Sequence, residues 1–449
     1  MFSQSKTYCV TVCLLLIGVN CFDEWEAIHT DLEIEAPCTF DNDDGGRTCN
    51  CGFRNERMYL PLMDGNIFQI RVLNCKILRI KSGTFASLSM LSRVSFTNVE
   101  DLILDTYSLD FPVRLPSNRV RLNFSNTIIE EVPSHTINGN VDVIAFDSCR
   151  IGAIRAFAVN GLVQKAFGLY IRNSIIGRID GQALKKFTVD QFVMDNVTIS
   201  SPIPSRAVYD MTVDDVCSIV NSNFTTIHSG AFMFQEVNDF RFQGNYIEEL
   251  IGASLQMPVK KSVLIQDNTI LSLSSTAFRS ISLHPSYFNH HSEPMEFEFI
   301  SNTVSIPDVT VTLVFSTAFR MKISKIHFIN PVSCAGAEVL SHSEFIMDHG
   351  DSLYFRVDDV TLAEDPTVYH TFSHIFSHLC IKASYLMYII IGVVVFLILA
   401  IIVAVTVTVV VLKRRRARQL NVVMPEGKTY RETQIIMQIE NAGLLKTDL

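Results

Sequence analysis

The chain has 449 residues, a formal net charge of −9 and 48% hydrophobic residues. That length accommodates one large domain or two ordinary ones. The mildly acidic balance argues against a nucleic-acid partner, which needs a basic surface. No phosphate loop, dinucleotide fingerprint, zinc-protease helix or nucleophile elbow occurs, so neither a cofactor nor a catalytic constellation is expected.

The first element reads as a targeting segment. Lys6 supplies a positive start, and Tyr8 to Val19 is an apolar stretch shorter than the roughly 20 residues of a membrane span. Val19 and Cys21 suit cleavage before Phe22, so residues 1–21 are expected to be a signal peptide. Secretion would place the following segment in an oxidising space, where disulfides persist. Of the 11 cysteines, Cys9, Cys13 and Cys21 leave with the signal, while Cys38, Cys49 and Cys51 cluster within residues 22–69.

From Ile70 the chain repeats itself. The clearest copies are Phe240-Arg-Phe242-Gln-Gly-Asn245-Tyr-Ile247-Glu-Glu-Leu250 and Val263-Leu-Ile265-Gln-Asp-Asn268-Thr-Ile270-Leu-Ser-Leu273. Both fit φ-x-φ-x-x-N-x-φ-x-x-φ, where φ is apolar. The Asn position, here termed the slot, recurs as Cys75, Thr127, Cys149, Ser174, Val197, Ser222, Asn245, Asn268 and Asn302, with a degenerate copy near Val99 and a last one ending at Pro331. Most steps are 22 to 25 residues; insertions near Asp110–Asn118 and Ser282–Pro294 lengthen two of them. An apolar residue recurs ten positions after the slot, as in Phe232, Leu255 and Phe278.

The pattern has a physical reading. In φ-x-φ the apolar side chains point inward from a short strand and the x residues face out. A polar slot residue can hydrogen-bond otherwise unpaired backbone groups of the neighbouring turn. No turn has a complete core alone, so turns must stack into a solenoid. Cys75 and Cys149 then read as buried slot thiols and Cys217 as an inward strand residue, although Cys75 could instead be a fourth cap cysteine.

These copies over residues 70–330 resemble the extracellular leucine-rich-repeat family. The resemblance implies an α/β fold: a parallel-strand horseshoe capped at both ends, with residues 22–69 as the cysteine-containing N-terminal cap and 331–384 as C-terminal cap and membrane-proximal segment. Phe328-Ile-Asn330-Pro331-Val-Ser-Cys334 resembles the opening of the family's C-terminal cap. The second cysteine usual nearby is missing, which leaves Cys380 as partner in an expected Cys334–Cys380 bridge. A right-handed parallel β-helix is the structural rival; the helix-like residue ten places after the slot favours the leucine-rich reading. Family proteins often bind partners with the open strand face. Aromatic and arginine residues anchor interfaces, so Tyr170, Arg172, Asp239, Arg241 and Glu298 are the expected partner-binding residues. Asn123, Asn196 and Asn223 begin N-x-[ST] sequons and are candidate glycosylation sites.

His370, His374 and His378 would share one face of a helix and could hold a metal there, but incidental spacing is the plainer account. Leu386 to Leu412 contains no charged residue. At about 1.5 Å per residue it crosses a ~30 Å hydrocarbon core with some tilt, giving a transmembrane helix over 385–412. Lys413, Arg414, Arg415, Arg416 and Arg418 follow it, with only Lys382 close before it, so the C-terminus is expected inside, as in a single-pass type I plasma-membrane protein. The tail, 413–449, is too short to fold an enzymatic domain. Its end, Thr447-Asp448-Leu449, resembles a PDZ-domain ligand, which adds a strand to the domain's sheet edge. Glu440, Leu444 and Leu445 resemble an acidic dileucine sorting signal.

The expectation is therefore a non-enzymatic cell-surface recognition or adhesion receptor that binds an extracellular protein and a cytosolic PDZ scaffold. An accessory co-receptor acting on other membrane proteins in cis is the alternative. A membrane-anchored β-helix hydrolase, with Asp239, Glu296 and Glu298 as its acids, is the third reading.

Overall fold

The computed structural model describes residues 33–41, 45–111, 119–289, 293–306, 313–358 and 367–420. Residues 1–21, expected as a signal peptide, and the expected PDZ-type terminus Thr447-Asp448-Leu449 and sorting residues Glu440, Leu444 and Leu445 lie outside them. Two compact units occur, one ending at Ser377 and one starting at His378.

The first unit is a parallel β-solenoid of about 13 turns. One turn shows how it is built. Val141–Asp147 forms the first side, Arg150–Ile154 the second and Val159–Leu162 the third, and the next turn begins with Ala166–Arg172. Each side pairs in parallel with its counterparts one turn away. In later turns the third and first sides merge into one long strand, as in Phe232–Gln243. This corrects the α/β expectation. The positions ten after the slot, Phe232 and Leu255, open β-strands, and Phe278 lies in a turn. The helical back implied by the resemblance is replaced by β-structure, because β-branched and aromatic residues fill those segments.

The strand register bears out the repeat assignment. Cys75 lies beside Val99 and Val99 beside Thr127. In later turns Phe242, Ile265 and Phe299 line up as inward residues. The inward rings stack along the axis: Phe96, Phe124 and Phe146 have centroid separations of 5.1 and 4.7 Å.

At the slot, polar side chains tie turn to turn. Asn268 Oδ1 accepts from the Asn245 amide N at 3.0 Å, and Asn268 Nδ2 donates to the Phe242 carbonyl at 2.8 Å. Asn302 repeats both bonds one turn on, accepting from the Asn268 amide N and donating to the Ile265 carbonyl. Ser222 and Ser174 do a shorter version: each hydroxyl accepts an amide of the turn before and donates to the carbonyl two residues back in its own strand. All these slot side chains are buried.

One residue before the slot, the chain turns through the left-handed region. Asn74, Asn98, Asn126, Asn173, Asn196 and Asn221 all have φ between 48° and 56°, a conformation that asparagine tolerates better than most residues. Their side chains form an outer ladder: Asn98 donates to Asn74 at 3.1 Å, Asn126 to Asn98 at 2.8 Å and Asn196 to Asn173 at 2.9 Å. This second column is a repeat signal that the reading of the slot alone overlooked.

The stacking runs one turn past each end of residues 70–330. Gly46–Asn50 pairs in parallel with Gln69–Ile80, and Ile326–Phe328 pairs in parallel with Leu353–Phe355. Antiparallel strands then close both ends: Cys38–Asp41 against Gly46–Asn50, and His370–Thr371 against Leu353–Phe355. Covering a sheet edge this way blocks further strand addition. Two short helices, Cys334–Leu340 and Glu344–His349, are inserted before the last turn.

At the N-terminal end Cys38 is bonded to Cys49 and Cys51 to Cys75. Cys75 is thus the fourth cap cysteine and not a free slot thiol; its slot position brings it directly over the cysteine of the preceding turn. Cys334 and Cys380 are both disulfide-bonded. Cys149 and Cys217 are free and buried, as expected. Burial pushes the Cys149 thiol up to about 11 and raises that of Cys217 as well. A thiol reacts as its thiolate. Alkylation at pH 8 is therefore expected to leave both unmodified in the native protein and to label both after unfolding, as read by peptide mass spectrometry.

Turns also meet through glycine. A methyl group built on Gly177 would overlap the carbonyl oxygen of Gly152, and one on Gly152 would overlap that of Glu130. Gly177→Ala is expected to cost about 2 kcal/mol through this overpacking, seen as a lower unfolding midpoint.

In the second unit Ile381–Leu420 is one continuous helix, and Met387–Arg418 within it is long and apolar enough to cross a membrane. The His370, His374 and His378 helix does not form. His370 lies in a strand, His374 ends a single helical turn and His378 sits in a π-helical turn. No group of three potential ligands forms a metal site among the described residues.

A groove on the strand face

The outward residues of the first side stack in columns, because every strand keeps the same phase. One column runs through Ala145, Tyr170, Val193, Ser218, Arg241, Leu264, Glu298 and Lys322. Asp239 and Glu296 stand in the column to one side, and Arg172 in the column to the other.

The expected partner residues separate into two groups. Tyr170 and Arg172 form the first. The Arg172 guanidinium lies 4.9 Å from the Tyr170 ring centroid, and the Tyr170 hydroxyl donates to Gln191 at 3.0 Å. Arg172 is flanked in register by Asp147 and Asp195. Burial raises the Tyr170 pKa, against the pull of Arg172. The hydroxyl therefore stays neutral at physiological pH and serves as a hydrogen-bonding group.

Asp239, Arg241 and Glu298 form the second group, three to five turns further on, and these do come together. With Lys261, Ser262 and Tyr287 they line a groove of about 500 Å³. Asp239 was expected on the open face, yet only 5% of it is exposed. Ser262 Oγ donates to one carboxylate oxygen, and the Arg241 guanidinium reaches the other at 2.8 Å. Asp239 therefore holds Arg241 in place from the floor of the groove. Glu298 pairs with Lys322 at 3.1 Å, and Glu296 pairs with Arg320.

Between Asn268 and Asn302 the lengthened turn brings Tyr287 to the groove. Its Pro285–Asn289 turn carries Tyr287, and His284 at its base contacts Ser286 at 2.7 Å and Glu236 at 3.4 Å. The repeat motif alone does not point to Tyr287, Lys261 and Ser262, which also line the groove. The 34-residue step from Asn268 to Asn302 was the available signal: an insertion that leaves the register intact must fold out over a face.

Chemically the groove offers alternating charge, an exposed guanidinium held rigid from below, and one aromatic ring. A glycosidase needs one carboxyl to give a proton while a second acts as nucleophile or base; here Asp239, Glu296 and Glu298 are each engaged by a cation.

The sequons fall at three different places. Asn123 lies on the first side, half-buried between Ser95 and Ala145. Asn196 is an exposed member of the outer asparagine ladder, and Asn223 opens a strand of the second side, also exposed.

By architecture the described residues form a parallel β-solenoid and one helix long and apolar enough to cross a membrane. Comparison with protein-family models, with curated proteins and with solved structures gives no match.

Proposed function

We propose that the protein is a single-pass type I cell-surface receptor or adhesion protein, not an enzyme, and that its solenoid binds an extracellular protein at the groove around Arg241. The observation that carries this reading is an arginine fixed by a buried carboxylate beside an aromatic wall. Arginine and aromatic anchors of that kind dominate protein interfaces, and fixing the side chain beforehand lowers the entropy lost on binding. The paired state of the groove carboxylates supports binding over catalysis. The finer family reading, an extracellular leucine-rich-repeat protein, rests on the strand–slot motif and its buried asparagines; the β-built remainder of each turn departs from that family. Inside the cell, Thr447-Asp448-Leu449 would engage a PDZ scaffold and Glu440, Leu444 and Leu445 would direct sorting.

The test is binding of a soluble fragment spanning residues 22–382 to live cells before and after mild protease treatment. Saturable, protease-sensitive binding is expected. Arg241→Ala should weaken it about tenfold or more, as hot-spot truncations do. If the fragment binds no cell, including cells displaying the chain itself, the adhesion reading fails and the co-receptor alternative takes its place.

A further inference from the structure

The first side of the solenoid carries a second polar patch, remote from the groove, at its N-terminal end. In register, Gln69 lies beside Arg93 and Arg93 beside Arg121, while Arg71 lies beside Ser95 and Ser95 beside Asn123. Three consecutive turns therefore present arginines on one flat face. Neighbouring strands are ~4.8 Å apart, and like charges directly opposite one another are destabilising, so Arg93 next to Arg121 needs compensation.

That compensation is incomplete. Asp142, itself buried, takes Arg119 at 2.8 Å and Arg121 at 3.4 Å with its single charge. Arg71 reaches Asp41 at 3.6 Å. Arg93 is exposed and has no acidic partner among the described residues. Segments 69–73, 93–97 and 121–125, which build this face, contain no acidic residue. Ser95 and Asn123 lie between the arginines and add a hydroxyl and an amide. The groove at the other end differs, since there each carboxylate is matched to a cation.

We infer that this patch binds a linear sulfated polysaccharide. The charge complement requires an anion. The flat surface across three turns suits an extended polyanion lying over the strands, and guanidinium forks take two oxygens of a sulfate or carboxylate at once. The patch is independent of the groove, but it needs the solenoid to face outside, and so rests on the type I reading. Asn123 places a sequon within the patch, and a glycan there would cover Arg93 and Arg121.

The test uses full-length protein displayed on cells that lack sulfated polysaccharides of their own. Fluorescent heparin is added to unpermeabilised cells, and an antibody to the solenoid measures the surface amount. The antibody signal checks the topology separately, since an inverted chain gives none. Dose-dependent, salt-sensitive binding is expected from the native chain or, where the Asn123 glycan covers the patch, from Asn123→Gln. Arg93→Ala with Arg121→Ala should lower it about fivefold or more at equal surface amount. The paired lysine variant, which keeps the charge and loses the fork, should fall between. Arg241→Ala should bind like the native chain, and desulfated heparin should bind no better than the double-alanine variant. Equal binding by the double-alanine variant overturns the proposal. So does an absence of binding by both the native chain and Asn123→Gln, or binding of labelled polyglutamate in place of heparin, which would mark an acidic protein as the partner.

Discussion

Replacing Asn268 by alanine is expected to destabilise the solenoid by about 3 to 4 kcal/mol. Its amide accepts from the Asn245 N–H and donates to the Phe242 carbonyl, both inside the core. Alanine would leave both backbone groups buried without a partner, and each such group costs about 1 to 3 kcal/mol. The protein contains its own control. Ser222 fills the same slot one turn before Asn245 and still accepts the Val197 N–H at 3.1 Å. Asn268→Ser should therefore lose roughly half as much as Asn268→Ala, because it restores one bond of the two. Hydrogen exchange of the amides from 242 to 270, with the unfolding midpoint, checks the order. Equal loss in both variants would mean that side-chain volume, not hydrogen bonding, governs the slot.

Cys75→Ser should cost about 3 to 4 kcal/mol, the loop-closure value for a cross-link spanning 24 residues. Serine already serves at Ser174 and Ser222, so this change removes the cross-link while leaving a residue that the slot accepts. The loss should also be local. In a stack where each turn touches only its neighbours, destabilisation at one end spreads poorly. Exchange is expected to quicken across residues 46–80 and to stay slow across residues 240–270. Uniform quickening would show instead that the whole solenoid opens as one unit.

Most of the architecture was readable because burial enforces it. A one-residue slip in any φ-x-φ segment would turn its inward residues to solvent, so Phe240 and Phe242, Val263 and Ile265, and Phe297 and Phe299 declare their register in the sequence itself. The slot was readable for a related reason: a polar residue that returns at a fixed phase inside an apolar core needs a backbone partner. The apolar stretch 385–412 follows from composition alone, whereas the helix's extension to Ile381 and through the basic run to Leu420 does not. The third strand side did not follow, since an isolated Phe232 or Leu255 fits a helix or a strand equally well and only the pairing of neighbouring turns decides. The outer column of Asn74, Asn98 and Asn126 could have been found, because asparagine recurs there at the same step as the slot. The groove lay beyond reach. Arg241 and Glu298 share a column, which the repeat implies, but the position of Tyr287 depends on the path of an insertion that has no repeat to constrain it.

The register also bears on how the chain reaches this structure. Adjacent turns pair residues mostly 23 to 25 positions apart, and the widest slot-to-slot step is 34. Doubling the number of turns would therefore leave the typical sequence separation of contacts unchanged, whereas folding slows when distant segments must meet. At about 5 to 20 residues per second of synthesis, one turn takes roughly 1 to 5 seconds to emerge, and closing so short a loop takes well under a millisecond. The doubly bridged N-terminal cap comes first and offers a finished edge. Each later turn can settle on the one before it while the next is still being made, so the molecule can grow in the order in which it is translated.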